Sequence, residues 1–110
     1  KAIGKSRSME MTLTGDFMDA EEAAMRGLVS RVVKKEQCVD EALKVAQKIC
    51  SKSKPITAMA KECVNQAFEM NLQQGLKFER RVFHATFGTE DRKEGMTAFA
   101  EKVKAKWTDN

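Results

Sequence analysis

The chain of 110 residues has the length of one small domain, and with 42% hydrophobic residues, 33% charged residues, one proline and six glycines it is neither disordered nor fibrous. Twenty Lys and Arg against sixteen Asp and Glu give a formal charge of +4, which permits a nucleic-acid or phosphorylated partner but does not demand one, because the bases are dispersed among acids. Cys38, Cys50 and Cys63 form no CxxC pair and leave an odd thiol, which argues against a disulfide framework or zinc site and for a reducing compartment. No apolar run approaches the roughly 20 residues that span a bilayer. The opening "KAIGKSRSMEM" lacks the apolar core of a signal peptide, and a start at Lys1 is what a processed or excised piece would show.

The absence of tyrosine and the seven methionines point to helical packing surfaces. In chain order, "KAIGKSRSMEM" reads as the beginning of a helix, with Gly15 placed to stop it. Asp19 then stands before "AEEAAMRG", where its carboxylate can accept from the open amides of a first turn, with Glu22 three residues later as in a capping box. Glu21 and Glu22 meet the positive end of that helix dipole, and Gly27 can close the helix in the left-handed conformation. Capping therefore explains Asp16, Asp19, Glu21 and Glu22 better than catalysis does, since a working carboxylate pair needs an apolar pocket that separates the two pKa values. "LVSRVV", Leu28 to Val33, is the one plausible extended piece, being short and β-branched.

Helical periodicity is strongest at Val39, Ala42, Leu43, Ala46, Ile49 and Cys50, with Asp40, Glu41, Lys44, Gln47 and Lys48 on the opposite side. The pattern repeats at Ile56, Met59, Ala60, Cys63, Val64, Ala67 and Phe68, behind Pro55 in the first turn and Ser53 or Lys54 at the cap. A further helix is predicted from about Leu72 to Thr86, burying Leu76, Val82, Phe83 and Phe87 near its end, with Gly88 as the stop and Thr89 capping the next. There Met96, Phe99, Val103 and Trp107 form a stripe, although Gly95 weakens that helix by roughly 1 kcal/mol relative to alanine. The fold class expected is mainly α: five or six helices and one short extended segment.

Two motifs carry little chemistry. "GKS" at Gly4 to Ser6 matches the end of a phosphate-binding loop, but that motif needs an earlier glycine after a strand, whereas this segment reads as a helix start. His84, the single histidine, has no Cys or Asp pattern around it that would make a metal site or triad.

A resemblance runs through the same segments. "LTGD" at Leu13 to Asp16, Ala20, Glu22, Ala23 and "GLVSRVV" resemble the C-terminal signature of the crotonase, or enoyl-CoA hydratase/isomerase, family. "GKSRSMEMTLTGD", "AMAKECVNQAFEM" and "FGTEDRKEGMTAFAEKVKAKW" follow in the family's order and intervals, so that residues 1–110 resemble the C-terminal region of a crotonase-fold enzyme. The resemblance implies an acyl-CoA substrate with no separate cofactor and no metal, hydration of a 2-trans double bond in fatty-acid β-oxidation, assembly into trimers or hexamers, and a mitochondrial matrix location. Two backbone amides stabilise the enolate-like oxygen in such enzymes and two glutamates handle the protons. In the family all four groups precede the segments matched here, so no catalytic residue is assigned and the 110 residues alone are expected to be inactive. Phe83 in "RRVFHATF" and Lys102 in "FAEKVKAKW" match positions that line the adenine and phosphate end of coenzyme A. The alternatives are another family member such as an isomerase, or a non-enzymatic basic helical module binding RNA or protein, for which no RNA-binding motif is present.

Overall fold

The computed structural model describes residues 1–110 and contains six α-helices and no strand. They are α1 (Lys5–Thr14), α2 (Ala20–Met25), α3 (Cys38–Cys50), α4 (Lys54–Ala67), α5 (Leu72–Ala85) and α6 (Glu90–Glu101). Single 3-10 turns at Lys35–Gln37 and Thr86–Gly88 lead into α3 and out of α5. The chain divides into two compact units, Lys1–Ala42 and Leu43–Asn110, with the division falling inside α3. No helix is long and apolar enough to cross a membrane.

In the first unit Asp19 and Glu22 have structural tasks, while Asp16, expected to serve as a cap, precedes α2 by more than one turn and its amide donates to the Thr14 hydroxyl. Asp19 caps α2, its Oδ1 accepting from the Glu22 amide at 2.7 Å. Glu22 does not complete a capping box by reaching back. Its carboxylate takes the Arg26 Nε at 2.7 Å and the Arg7 Nη2 at 2.9 Å, tying α2 to α1. Those two hydrogen bonds, Arg26 first and Arg7 second, hold the Glu22 carboxyl below the usual carboxylate range. The ion pair with a guanidinium is the stronger use of a carboxylate than a bond to one neutral amide, which explains why the reciprocal cap is absent.

Both α1 and α2 end as their glycines require: Gly15 and Gly27 take φ of 76°, where a side chain would be strained. At Gly27 the end is a Schellman motif, with the Leu28 amide donating to Ala23 O at 2.8 Å and the Gly27 amide to Ala24 O at 3.1 Å. The stretch Leu28–Val33, expected to be extended, bends over residues 28–30 and is irregular from 31. An extended segment becomes a strand only when a ladder partner satisfies its backbone, and every other element here is helical.

In the second unit the caps are again local. Ser53 accepts from the Ile56 amide at 3.4 Å ahead of Pro55, so Ser53 and not Lys54 is the cap of α4. Asn71 accepts from Gln74 at 3.0 Å and opens α5, which packs on α4. The stop after α5 differs from the glycine cap expected at Gly88. The chain tightens into the 3-10 turn Thr86–Gly88, and the Thr89 amide and hydroxyl both donate to Thr86 O, at 3.0 and 2.7 Å.

α6 also ends earlier than its apolar stripe implies. A second Schellman motif closes it at Lys102, where φ is 56°, and the Val103 amide donates to Ala98 O at 3.0 Å. Val103 and Trp107 thus lie beyond the helix. Gly95 is compatible with a helix only at some cost, and the chain past Lys102 gains more by folding back, as described below.

The burial expected for the apolar stripes is largely absent. Ala23 (7% exposed) and Ala98 (4%) are the only buried hydrophobic residues, and each is the alanine whose carbonyl anchors a Schellman motif. Leu76, Phe83 and Phe87, predicted to be buried, are exposed, as are Leu43, Ile49, Val64 and Phe68. The accessible surface is 9370 Å². A compact monomer of 12.4 kDa would show roughly 6,100 Å². Amphipathic helices with uncovered apolar faces associate. The isolated 110-residue chain is therefore expected to elute as an oligomer in size exclusion with light scattering; a clean monomer with a cooperative melt would contradict this.

Candidate functional site

The second unit contains a cavity of about 510 Å³ whose walls come from the start of α4, the end of α5, α6 and the C-terminal segment. Ile56, Ala60, Phe83, Met96 and Trp107 supply an apolar lining, while Lys52 and Arg92 bring positive charge to it. Phe83 is 57% exposed. Its ring meets Phe87 edge-on, with centroids 5.4 Å apart and planes at 80°. The Arg92 guanidinium lies 3.4 Å from the Phe87 ring centroid, a cation–π contact that fixes the arginine beside the aromatic pair. His84, also in edge contact with Phe87, takes no part in a metal or proton-transfer grouping.

The polar centre of this unit is Asp91, in the first turn of α6 behind the Thr89 cap. It is 0% exposed. Its Oδ1 accepts from the Thr108 amide at 2.7 Å and the Thr108 hydroxyl at 3.1 Å, and its Oδ2 accepts from the Asp109 amide at 3.1 Å. The Ser53 hydroxyl donates to the same carboxylate, so the cap of α4 and the start of α6 share one anion. Burial would push this carboxyl up. The donors, Ser53, the Thr108 amide and hydroxyl and the Asp109 amide, outweigh burial and hold it below the usual carboxylate range.

Around that anion the last residues fold back along α6. The Lys106 amide donates to Glu94 Oε1 at 2.7 Å, and the Asp91 amide donates to Asn110 O at 3.0 Å. The Trp107 indole N–H reaches Ser51 O at 2.9 Å, and Asp109 Oδ1 accepts from the Lys54 amide at 2.8 Å in the first turn of α4. Gly95 makes room for the indole: a Cβ there would stand 3.1 Å from Trp107 Cη2 and 3.2 Å from Cζ3. The mid-helix glycine that weakens α6 is thus the place where another side chain approaches its backbone.

Of the two ligand contacts expected from the sequence, Phe83 lines the cavity and Lys102 does not. Lys102 is exposed at the end of α6, in the left-handed conformation that Gly27 takes at the end of α2. A lysine there costs about 1 kcal/mol relative to glycine. Asp91, Ser53 and Trp107 were not legible as site residues. An acid behind a threonine cap looks like ordinary helix charging, and Trp107 fits the apolar period of α6. The one available signal was Gly95, a glycine inside a helix twelve residues before the only tryptophan.

No carboxylate in this cavity is disposed for proton transfer, because Asp91, the only one lining it, is saturated by donors. The surroundings set exposed aromatic edges beside cationic side chains.

Comparison with known proteins gives one family. A family model described as enoyl-CoA hydratase/isomerase matches residues 1–110. The chain is 55% identical over 109 residues to a protein of Pongo abelii named enoyl-CoA hydratase, mitochondrial, covering 99% of this chain and 38% of that protein. It is likewise 55% identical over 107 residues to a Dictyostelium discoideum protein named probable enoyl-CoA hydratase, mitochondrial, covering 97% of this chain and 39% of that one. Its fold superposes on the crystal structure of an enoyl-CoA hydratase from Geobacillus kaustophilus with a TM-score of 0.94 at 37% identity, over 99% of this chain and 42% of that structure. The chain spans about two-fifths of the length of the proteins it matches.

The Asp91 carboxylate determines how the tail responds to acid. A carboxyl whose pKa is lower in the folded state than its ordinary 3.8 contributes stability above that value and loses it as pH falls through the folded value. Emission from Trp107 in the 110-residue chain should therefore be constant near neutrality, and any red shift from loss of this anchor should come only below pH 3.8. Asp91→Asn should show the red-shifted emission already at pH 7. An Asp91→Asn spectrum identical to that of the wild type at pH 7 would contradict the assignment.

Proposed function

The chain belongs to the enoyl-CoA hydratase/isomerase family, and from that premise we propose that it is the C-terminal, substrate-covering and subunit-packing part of an enoyl-CoA hydratase. The observation that carries this reading is the identity of 55% to proteins named as hydratases, maintained across almost all of the chain. The reaction adds water to a 2-trans-enoyl-CoA, with the oxygen bonding to C3 and a proton to C2. The thioester oxygen gains negative charge on the way and needs preorganised donors, and two carboxylates must move protons. Those groups are proposed to lie outside the 110 residues, in keeping with a cavity whose lone carboxylate is fully engaged.

Phe83 and Lys102 are proposed to hold the adenine and phosphate end of coenzyme A. An exposed ring can stack on a base, and an ammonium can pair with phosphate. Lys102 has a further argument in its favour. It occupies a left-handed helix end where glycine is the less strained choice, and strain retained at one side chain points to a use for it. The apolar faces of α3, α4 and α5 are proposed to be covered by the rest of the enzyme and by neighbouring subunits in a trimer or hexamer, and the enzyme to work in the mitochondrial matrix in fatty-acid β-oxidation. Two relatives carrying mitochondrial names support that location.

The test is hydration of crotonyl-CoA, followed by formation of the 3-hydroxyacyl product. The full-length enzyme should catalyse it and the purified 110-residue chain should not. Lys102→Gly, which keeps the helix end, and Phe83→Ala should each raise KM by about 2- to 10-fold, the size of one exposed ion pair or one stacking contact. Their kcat should stay within about twofold. Hydration by the isolated chain, or a double-bond isomer as the only product, would overturn the reading.

A further inference from the structure

The C-terminal segment is a strap with a single buried anchor. It leaves α6 at Lys102 and returns along the helix it left, with the Val103 amide on Ala98, the Lys106 amide on Glu94 and the Thr108 amide on Asp91. Its backbone is left-handed at both Lys102 and Asp109, neither of them glycine, with φ of 56° and 61°. Such residues persist only where the surroundings over-determine them. At Lys102 the end of α6 supplies the determination through its own bonds, and at Asp109 it comes from one side chain: three of the four donors to the Asp91 carboxylate come from Thr108 and Asp109. Asp109 in turn accepts from the Lys54 amide and so joins the strap to the start of α4.

The strap contributes to the cavity wall. Trp107 stands in the same cavity wall as Phe83, held by its bond to Ser51 O and by its close approach to Gly95. Lys102 is the residue from which the strap departs. Loosening the anchor would therefore disturb Trp107 and the aromatic wall, while α6 keeps its own cap at Thr89 and its own C-terminal bonds at Lys102.

We propose that Asp91 is a positioning residue for the nucleotide end of the substrate, latching the end of the strap so that Trp107 is held in the cavity wall that it shares with Phe83. This rests on the acyl-CoA reading above and extends it, since Asp91 itself touches no substrate. Replacing the carboxylate by an amide removes the charge and turns an N–H towards donors that have no other acceptor, which opens the latch. The loss falls on the part of the substrate beyond the thioester and leaves the reacting carbons to the rest of the enzyme.

The experiment compares two substrates of the full-length enzyme, crotonyl-CoA and the N-acetylcysteamine thioester of crotonate, which presents the same reacting group without a nucleotide. The readout is the ratio of their kcat/KM values. Asp91→Asn should lower that ratio at least fivefold, and the amides of residues 106, 108 and 109 should exchange hydrogen at least tenfold faster. Thr108→Pro removes both Thr108 donors from the exposed side of the latch, leaves Asp91 in place, and should lower the ratio in the same direction should Asp91→Asn fail to fold. A general loss of structure would lower both kcat/KM values in parallel, and a constant ratio in both variants overturns the proposal, as does a constant ratio alongside faster tail exchange. A wild-type enzyme that turns over neither thioester overturns the acyl-CoA reading itself and the proposal with it, an outcome distinct from a wild type that prefers crotonyl-CoA with variants that do too.

Discussion

One buried anion organises the second unit. Asp91 is enclosed, and an enclosed carboxylate is tolerable only when hydrogen bonds replace its lost water. Four donors do so, and they come from two places: Ser53 at the cap of α4, and Thr108 and Asp109 in the returning tail. The helix it opens contributes as well, because an anion in the first turn faces the positive end of the dipole. Since the same carboxylate binds α4 and the tail to α6, the geometry of the cavity between them follows from it.

The apolar part of the unit is arranged around that polar centre and not the reverse. Gly95 leaves α6 bare where the Trp107 indole arrives, and the indole N–H finds Ser51 O, so a large aromatic ring is seated without an unsatisfied donor. Phe83, Phe87 and Arg92 form a second aromatic and cationic group at the junction of α5 and α6. The Thr86–Gly88 turn sets the angle of that junction through paired bonds from Thr89. Polar contacts thus place the aromatic groups that the proposed ligand would meet.

What was legible in the sequence is what is local. Asp19, Ser53 and Thr89 cap the helices they precede because a short side chain and an open amide lie within three residues of each other. Gly15 and Gly27 close helices for an equally local reason. The misreadings concern relations that periodicity does not encode. Glu22 has the spacing of a capping box, yet Arg7, fifteen residues away, outcompetes the amide. Trp107 continues the helical period of Met96 and Phe99, yet the left-handed turn at Lys102 sends it back along α6. Phe83 shows the limit from the other side: it falls on an apolar stripe and is exposed, while Asp91, which no pattern singles out, is buried.

The exposed stripes are errors of context and not of pattern. Leu43, Ile49, Val64, Phe68, Leu72 and Leu76 fall at helical spacing, and all six are exposed. Covering such side chains contributes about 1.5 to 3 kcal/mol each, so the six together are worth on the order of 10 kcal/mol. That is comparable with the whole stability of an ordinary domain. A chain that leaves this much free energy unrealised, while satisfying a buried carboxylate with four donors, has its specificity written into internal polar contacts and its stability into surfaces that another body must cover. That division is what the proposed role requires: an element that shapes one end of a ligand site by itself, and that holds its place only against the remainder of an enzyme.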